Sequence, residues 1–412
     1  MNTDLDQARA RFLEGVEHFE AGRPEAARLA FEAAQALAPG RPSVLANLGA
    51  THLALGQWRD ALEVLQRAAA ADASQPDVWR NLGLAHKELG HWQPAADCLT
   101  RSLEAEPQAG LLLILGQIQL KLGQVQAALA AFDRALEIDA AFAPAWSERG
   151  SLLRELNRLD EAALSFEKAM ESGADPELHA YYLASVRRGV RTAAAPAAPP
   201  RLYVETLFDD YAADFQRHAV EDLRYQGHQT LLRPLLEGGQ KGRRYGAVLD
   251  LGCGSGLCGR LIRPACEAVD GVDLSRAMLG EARKPGVYRD LVHADVVEYL
   301  STCERSYGLV LAADVFIYVG ELAAVFRHVR RVLEPNGCFA LTLERPTGAD
   351  DVTLLPSLRY AHSEAYVRRL AATHGFQVSE LFTAPLRQDQ FRPVQGLYVY
   401  LEFDPAKPAG LP

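Results

Sequence analysis

Large apolar and small residues recur along the first 176 positions with a period of about 34. The segments 8–41, 42–75, 76–108, 109–142 and 143–176 superimpose over most of their length. Each carries a glycine at the same place: Gly15, Gly49, Gly83, Gly116 and Gly150. Twelve residues later comes an alanine (Ala27, Ala61, Ala95, Ala128, Ala162), and four further on a large apolar residue (Phe31, Leu65, Leu99, Phe132, Phe166). A turn residue separates the two halves of each copy: Gly22, Gly56, Gly90, Gly123 and, in the fifth, Asn157. This spacing predicts a helix pair per repeat, because small residues let antiparallel helices approach and the large residue fills the gap left between them. An apolar helix over about 177–190 is expected to cap the array.

These stretches, WRNLGLAHKELGHWQPAADCL among them, resemble the tetratricopeptide repeat (TPR) family. All four tryptophans lie here: Trp79 and Trp146 share one repeat position, Trp58 and Trp92 another. The closing proline of the pattern stands at Pro39 and Pro107 but is Ala73 and Ala140 elsewhere. The resemblance implies a concave face that takes a protein or peptide. Asn47 and Asn81 occupy the position that can bond an extended peptide's backbone, or serve there only as consensus residues; Ile114 and Glu148 replace them in repeats four and five.

Residues 192–200, TAAAPAAPP, break the period and read as an extended, semi-rigid spacer. The stretch from Leu202 to Leu236 is helical in pattern and rich in aromatics. Short apolar runs then alternate with helical stretches: AVLDL, AVDGVDL, DLVHAD, YGLVLAAD and CFALTLE. Such alternation predicts parallel strands joined by crossover helices. FQVSELFT and LYVYLEF stand too close for a crossover and predict a terminal hairpin.

The first of these strands runs into VLDLGCGSGLCG. Gly252, Gly254 and Gly256 permit a sharp turn and a ligand lying against the backbone. The spacing is G-x-G-x-G rather than that of dinucleotide enzymes, and Asp250 before it suits a cationic group better than a pyrophosphate. Asp273, 21 residues after Gly252, ends the second strand, where an acid can take two ribose hydroxyls. Asp295 ends the third and can accept from an adenine amino group, or can simply cap a turn. An ammonium, a ribose and an adenine together describe S-adenosylmethionine (SAM).

Residues 203–403 resemble class I SAM-dependent methyltransferases, and the whole chain resembles a bacterial subgroup of TPR-containing predicted methyltransferases. The implied fold is an all-α TPR superhelix followed by an α/β, Rossmann-like domain with a mostly parallel seven-stranded sheet. By that resemblance Asp250, Gly252, Cys253, Gly254 and Gly256 hold the methionine moiety. Asp273 with Leu274 faces the ribose, Met278 packs near the adenine, and Asp295 and Val296 read its edge. Tyr211, Phe215 and His218 either close over the donor as a lid or pack as core. The loop after the fourth strand, Ala312 to Tyr318, lacks the N/D-P-P-Y pattern of amino-group methylases. Candidate catalytic residues are Asp314, Tyr318 and His362, with Tyr360 and Arg387 beside them in the acceptor pocket. His362 is a base or a structural histidine, and Ser363 after it reads as a helix N-cap.

The expected organisation is a TPR array over 1–191, the spacer 192–200, a methyltransferase domain over 201–404 and a tail over 405–412. Bulk composition changes little in this picture. The hydrophobic content of 49% and charged content of 23% suit a globular chain. The net charge of -10 is shared by both halves, which disfavours a nucleic-acid partner. Six scattered cysteines without C-x-x-C spacing offer no metal site, and no apolar run is long enough for a membrane, so the expected setting is the cytoplasm. Three functions fit: a SAM-dependent methyltransferase whose array recruits a protein or peptide substrate or carrier, a small-molecule O- or N-methyltransferase with a structural TPR domain, or a non-catalytic SAM-binding adaptor.

Overall fold

The structure is a computed structural model that describes residues 3–187, 196–212, 225–237, 244–346, 348, 350–389 and 392–403. The chain forms two compact units, Met1–Asp175 and Pro176–Pro412.

The first unit is a series of helix pairs: α1 (Thr3–Glu20) with α2 (Pro24–Leu37), α3 (Pro42–Ala54) with α4 (Trp58–Ala71), α5 (Pro76–Glu88) with α6 (Trp92–Ala105), α7 (Ala109–Lys121) with α8 (Val125–Ile138), and α9 (Ala143–Glu155) with α10 (Leu159–Glu171). The repeat glycines face the large residue of their own pair. A Cβ placed on Gly116 would lie 2.4 Å from the ring of Phe132, and one on Gly49 would lie 2.4 Å from Leu65. The close approach therefore excludes any side chain there. The turn residues Gly22, Gly56, Gly90 and Gly123 have φ of 70–73° and Asn157 has φ of 57°, the left-handed region that ends a helix.

The second unit starts earlier than the Ala/Pro stretch. Helix α11 (Pro176–Val186), expected to cap the array, is grouped with it. Tyr181 is fully buried beside Leu354, Leu358 and Tyr360, and its hydroxyl donates to the Leu358 carbonyl at 2.5 Å. Helices α12 (Arg201–Tyr211) and α13 (Gly227–Glu237) precede the sheet. Then follow β1 (Tyr245–Leu251), α14 (Leu257–Ile262), β2 (Cys266–Asp273), α15 (Arg276–Arg283), β3 (Asp290–His293), α16 (Val296–Thr302), β4 (Tyr307–Ala312), α17 (Ala323–Val332), β5 (Leu333–Glu344), β6 (Val352–Leu354), β7 (Tyr360–His362), α18 (Glu364–Thr373), β8 (Phe376–Asp389) and β9 (Arg392–Phe403).

Strands β3, β2, β1, β4 and β5 pair in parallel in that order, β9 pairs antiparallel with β5, and β8 with β9. Those are the seven strands and the terminal hairpin that the sequence predicts. The short β6–β7 hairpin, not foreseen, pairs with the end of β5 at Glu344. Side chains alternate along each strand. Leu249, Leu251 and Val310 enter the core under α16, α17 and α18, while Val248, Leu309 and Leu311 enter the core under α13 and α14. Burial on both faces explains the near-continuous apolar runs. It also leaves the carboxyl ends of the strands as the place for chemistry, where an open α/β sheet puts its ligands.

Candidate functional site

A cavity of about 950 Å³ opens at those carboxyl ends. The β1–α14 turn forms one wall. Gly252, Gly254 and Gly256 have φ of 60°, 52° and 86°, so all three need the left-handed region. A Cβ on Gly252 would lie 2.3 Å from Val315, which ties this turn to the loop after β4. Asp250, Gly252, Cys253, Gly254, Ser255, Asp273, Leu274, Met278, Asp295 and Val296 all line the cavity; Gly256 shapes the turn. The structure thus brings the described donor-site residues together. Tyr211 ends α12 and its side chain lies outside the described residues, as do Phe215 and His218.

The three acids differ in their surroundings. Asp250 is 1% exposed, and burial pushes its carboxyl up to about 7 although the Tyr288 hydroxyl donates to Oδ2 at 2.6 Å. The negative charge of Asp273 pushes the same way. Burial also raises Asp273, opposed by the Ser275 and Gly254 N–H groups, which donate to its two oxygens at 2.9 and 2.8 Å. Asp295 caps α16, with Oδ1 accepting from Val297 N–H at 2.7 Å and Glu298 N–H at 3.0 Å. Its turn role is therefore present alongside its place in the cavity wall. Ser255 Oγ is buried and has no hydrogen-bond partner among the described residues. That orphaned hydroxyl, two raised carboxyls and a glycine cradle suit a ligand carrying a cationic group and hydroxyls, so these residues fit SAM.

Asp314, Tyr318 and Arg387 also line the cavity. Asp314 is a non-glycine residue at φ 58°, and its N–H donates to Thr342 Oγ1 at 2.7 Å. Arg387, nearly buried, reaches Asp314 at 3.1 Å and Glu344 at 2.5 Å, and the two carboxylates hold its guanidinium charged. Tyr318 is edge-on to Phe208 of α12 at 5.3 Å, and burial raises its phenol.

His362 and Tyr360 are corrections. Both sit on β7, fully buried, and neither lines the cavity. His362 Nε2–H donates to the Gly320 carbonyl at 2.9 Å, its ring stacks on Tyr366, and burial pushes its pKa down to about 4. It is the structural histidine, and the Ser363 hydroxyl behind it accepts from Tyr366 N–H at 3.1 Å as the N-cap of α18. The Tyr360 hydroxyl donates to the Pro196 carbonyl at 2.5 Å. The Ala197 carbonyl accepts from Gly320 N–H at 2.8 Å, and Ala197, Ala198 and Pro199 line the cavity. The last residues of the supposed spacer are thus a wall of the site.

Sequence reasoning missed three further residues. Tyr288 meets Asp250 across 38 positions. Asp209 of α12 accepts from Ser275 Oγ–H at 2.5 Å and Ala277 N–H at 3.2 Å, pinning α12 to α15. His228, in α13, lines the cavity with a buried Nδ1 that has no partner. Only the aromatic, histidine-bearing character of the 202–236 stretch hinted at the last.

Comparison with known proteins covers both units. A family model described as "Methyltransferase domain" matches residues 248–337. Tetratricopeptide repeat models match 2–42, 48–114, 109–142 and 143–172. A malonyl-[acyl-carrier protein] O-methyltransferase of Legionella pneumophila is 35% identical over 128 residues, 29% of this chain and 44% of that protein. A ubiquinone biosynthesis O-methyltransferase of Bordetella avium is 29% identical over 196 residues, 44% of this chain and 77% of that protein. The chain spans about half the length of the first curated relatives it matches. Among solved structures, the N-methyltransferase NodS from Bradyrhizobium japonicum in complex with S-adenosyl-L-homocysteine is similar at 16% identity and a TM-score of 0.39, over 49% of this chain and 98% of that one.

Proposed function

We propose that this chain, a TPR protein with a class I methyltransferase domain, transfers the sulfonium methyl of SAM to an acceptor held beside Asp314, Tyr318 and Arg387. The observation that carries the reading is the convergence of Asp250, Asp273 and Asp295 with the glycine turn on one cavity. Asp250 and the turn would hold the methionine end, Asp273 and Leu274 the ribose, and Met278, Asp295 and Val296 the adenine. SAM, when bound, supplies an already activated methyl group. The chain's own part is to hold donor and acceptor in line and to keep water out. Asp314, fixed by Arg387 and Thr342, and Tyr318, fixed by Phe208, shape the acceptor side.

In this reading the TPR array recruits a protein or peptide, either the substrate or a carrier bearing it. The Legionella relative's name joins a methyl acceptor to a carrier protein, which supports pairing a methyltransferase domain with a protein-binding array. No nucleic-acid or membrane partner and no metal is part of the proposal, and its setting is the cytoplasm. No helix among the described residues is long and apolar enough to cross a membrane.

Calorimetric titration with SAM tests the donor site. The full chain is expected to bind, and Asp273→Ala to bind at least tenfold more weakly, about 1.4 kcal/mol. Absence of binding by the unaltered protein would leave neither an enzyme nor a SAM-binding adaptor.

A further inference from the structure

The cavity lining contains one imidazole among the described residues, and it is not the one the sequence suggested. His228 stands at the start of α13. It is 5% exposed, it lines the cavity, and its Nδ1 is fully enclosed without a hydrogen-bond partner among the described residues. The ring is stacked on Tyr225 at 5.1 Å between centroids. A buried ring nitrogen left unpaired costs free energy. Burial holds the imidazole neutral, with a pKa lowered to about 4, so one ring nitrogen keeps a lone pair throughout the neutral range.

The residues that the sequence offered for taking a proton are placed otherwise. The Asp314 carboxylate is held on the Arg387 guanidinium. The Tyr318 phenol is raised by burial and stays protonated. His362 is fully buried on β7 and does not line the cavity. Tyr225 is stacked on His228, and Leu207, Phe208 and Val319 are among the apolar and aromatic residues that line the same cavity.

We infer that His228 is the general base of the reaction and that the acceptor is a hydroxyl on an apolar or aromatic body. The inference rests on the methyltransferase reading above and gives it an acceptor class. A carboxylate is ionised at neutral pH and needs no base, whereas a hydroxyl keeps its proton. In the step, the acceptor oxygen bonds to the methyl carbon as the methyl–sulfur bond breaks, and that bond's electron pair stays on sulfur. The hydroxyl proton moves to the ring nitrogen of His228, which later gives it to water. The products are a methyl ether, the neutral thioether and a solvent proton.

The test uses the full chain, labelled SAM and an extract from a strain lacking the protein. His228→Gln and His228→Ala are expected to keep SAM affinity within twofold of the unaltered protein, which also shows that they fold. Transfer of label should fall by about 10²–10⁴-fold, the usual worth of a positioned base. Added imidazole should restore part of the loss in His228→Ala, which a merely structural role would not allow. The label should resist mild alkali, as an ether does. Variants that transfer within threefold of the unaltered protein would overturn the inference. So would label released as methanol by alkali, which marks an ester on a carboxylate. Loss of SAM binding by the unaltered protein is a separate result and removes the methyltransferase reading itself.

Discussion

At the residue scale the proposed donor site turns on where its carboxyls hold protons. Asp250 has an ordinary pKa of 3.8 in the unfolded chain and about 7 when folded and buried. A raised acid contributes stability that is fully present below the unfolded value and is lost as pH climbs through the folded one. Without ligand, then, Asp250 favours the folded domain most below about pH 4 and ceases to do so above about pH 7. A cationic ligand beside it favours the ionised form and drives the proton off. SAM titration at pH 6 should therefore release close to one proton, so that heats differ between buffers of unlike ionisation enthalpy. The release should fade by pH 8 and vanish in Asp250→Asn. Equal heats in all buffers at pH 6 would place the ligand's charge elsewhere. Asp250 and Asp273 were legible in the sequence because strand ends and glycine spacing mark them. Tyr288 and His228 were not, since their importance comes from contacts and enclosure made only when distant segments meet. The sequence left His362 open between a base and a structural histidine, and the structure decides for the latter by burying it on β7 against Gly320 and Tyr366.

At the element scale the repeat array was almost wholly legible, because each structural demand recurs five times at a fixed spacing. The glycine-to-large pairing predicts its own test. Valine at Gly116 would push into the fully buried ring of Phe132, and overpacking of this kind costs about 1–3 kcal/mol. The melt of the first unit should move down accordingly when followed by circular dichroism, whereas Gly110→Ala, with open space around it, should not lower it. Loop chemistry at the repeat junctions shows a compensation that the pattern alone did not explain. Where the closing proline is replaced by Ala73 or Ala140, the tryptophan of the next helix reaches back. Trp79 Nε1–H donates to the Ala73 carbonyl at 2.8 Å and Trp146 Nε1–H to Ala140 at 2.9 Å. Asp72 and Asp139 accept from the backbone two residues on, at 3.0 Å each. Leu45 and Leu112 stand at the tryptophan position after Pro39 and Pro107, where φ is already fixed by the ring. The β6–β7 hairpin escaped the sequence because its strands are three residues long, too short for alternation to register.

At the scale of the whole molecule, the boundary between the two units is the feature on which pattern and packing diverge. The composition break lies at 192–200, yet the second unit begins at Pro176. Low-complexity Ala/Pro sequence reads as spacer because it has no apolar period, but its contribution here is made by backbone carbonyls, which every residue has. Pro196 and Ala197 each supply one, to Tyr360 and Gly320. Helix α11 supplies Tyr181, whose ring and hydroxyl are both satisfied by the second unit. Burying one large side chain of this kind is worth about 1.5–3 kcal/mol. Two truncations separate the alternatives. A chain starting at Pro176 keeps α11 and the 196–199 wall, so it should match the full protein in SAM affinity and in the melt of its second unit. A chain starting at Arg201, the limit that composition suggests, exposes Leu354, Leu358 and Tyr360 and opens the cavity where Ala197 and Pro199 stand. It should melt several degrees lower by scanning calorimetry and bind SAM more weakly. If the two truncations melt together and bind alike, α11 and the 196–199 segment are passengers. If they differ as expected, the 196–199 segment is itself part of the cavity wall.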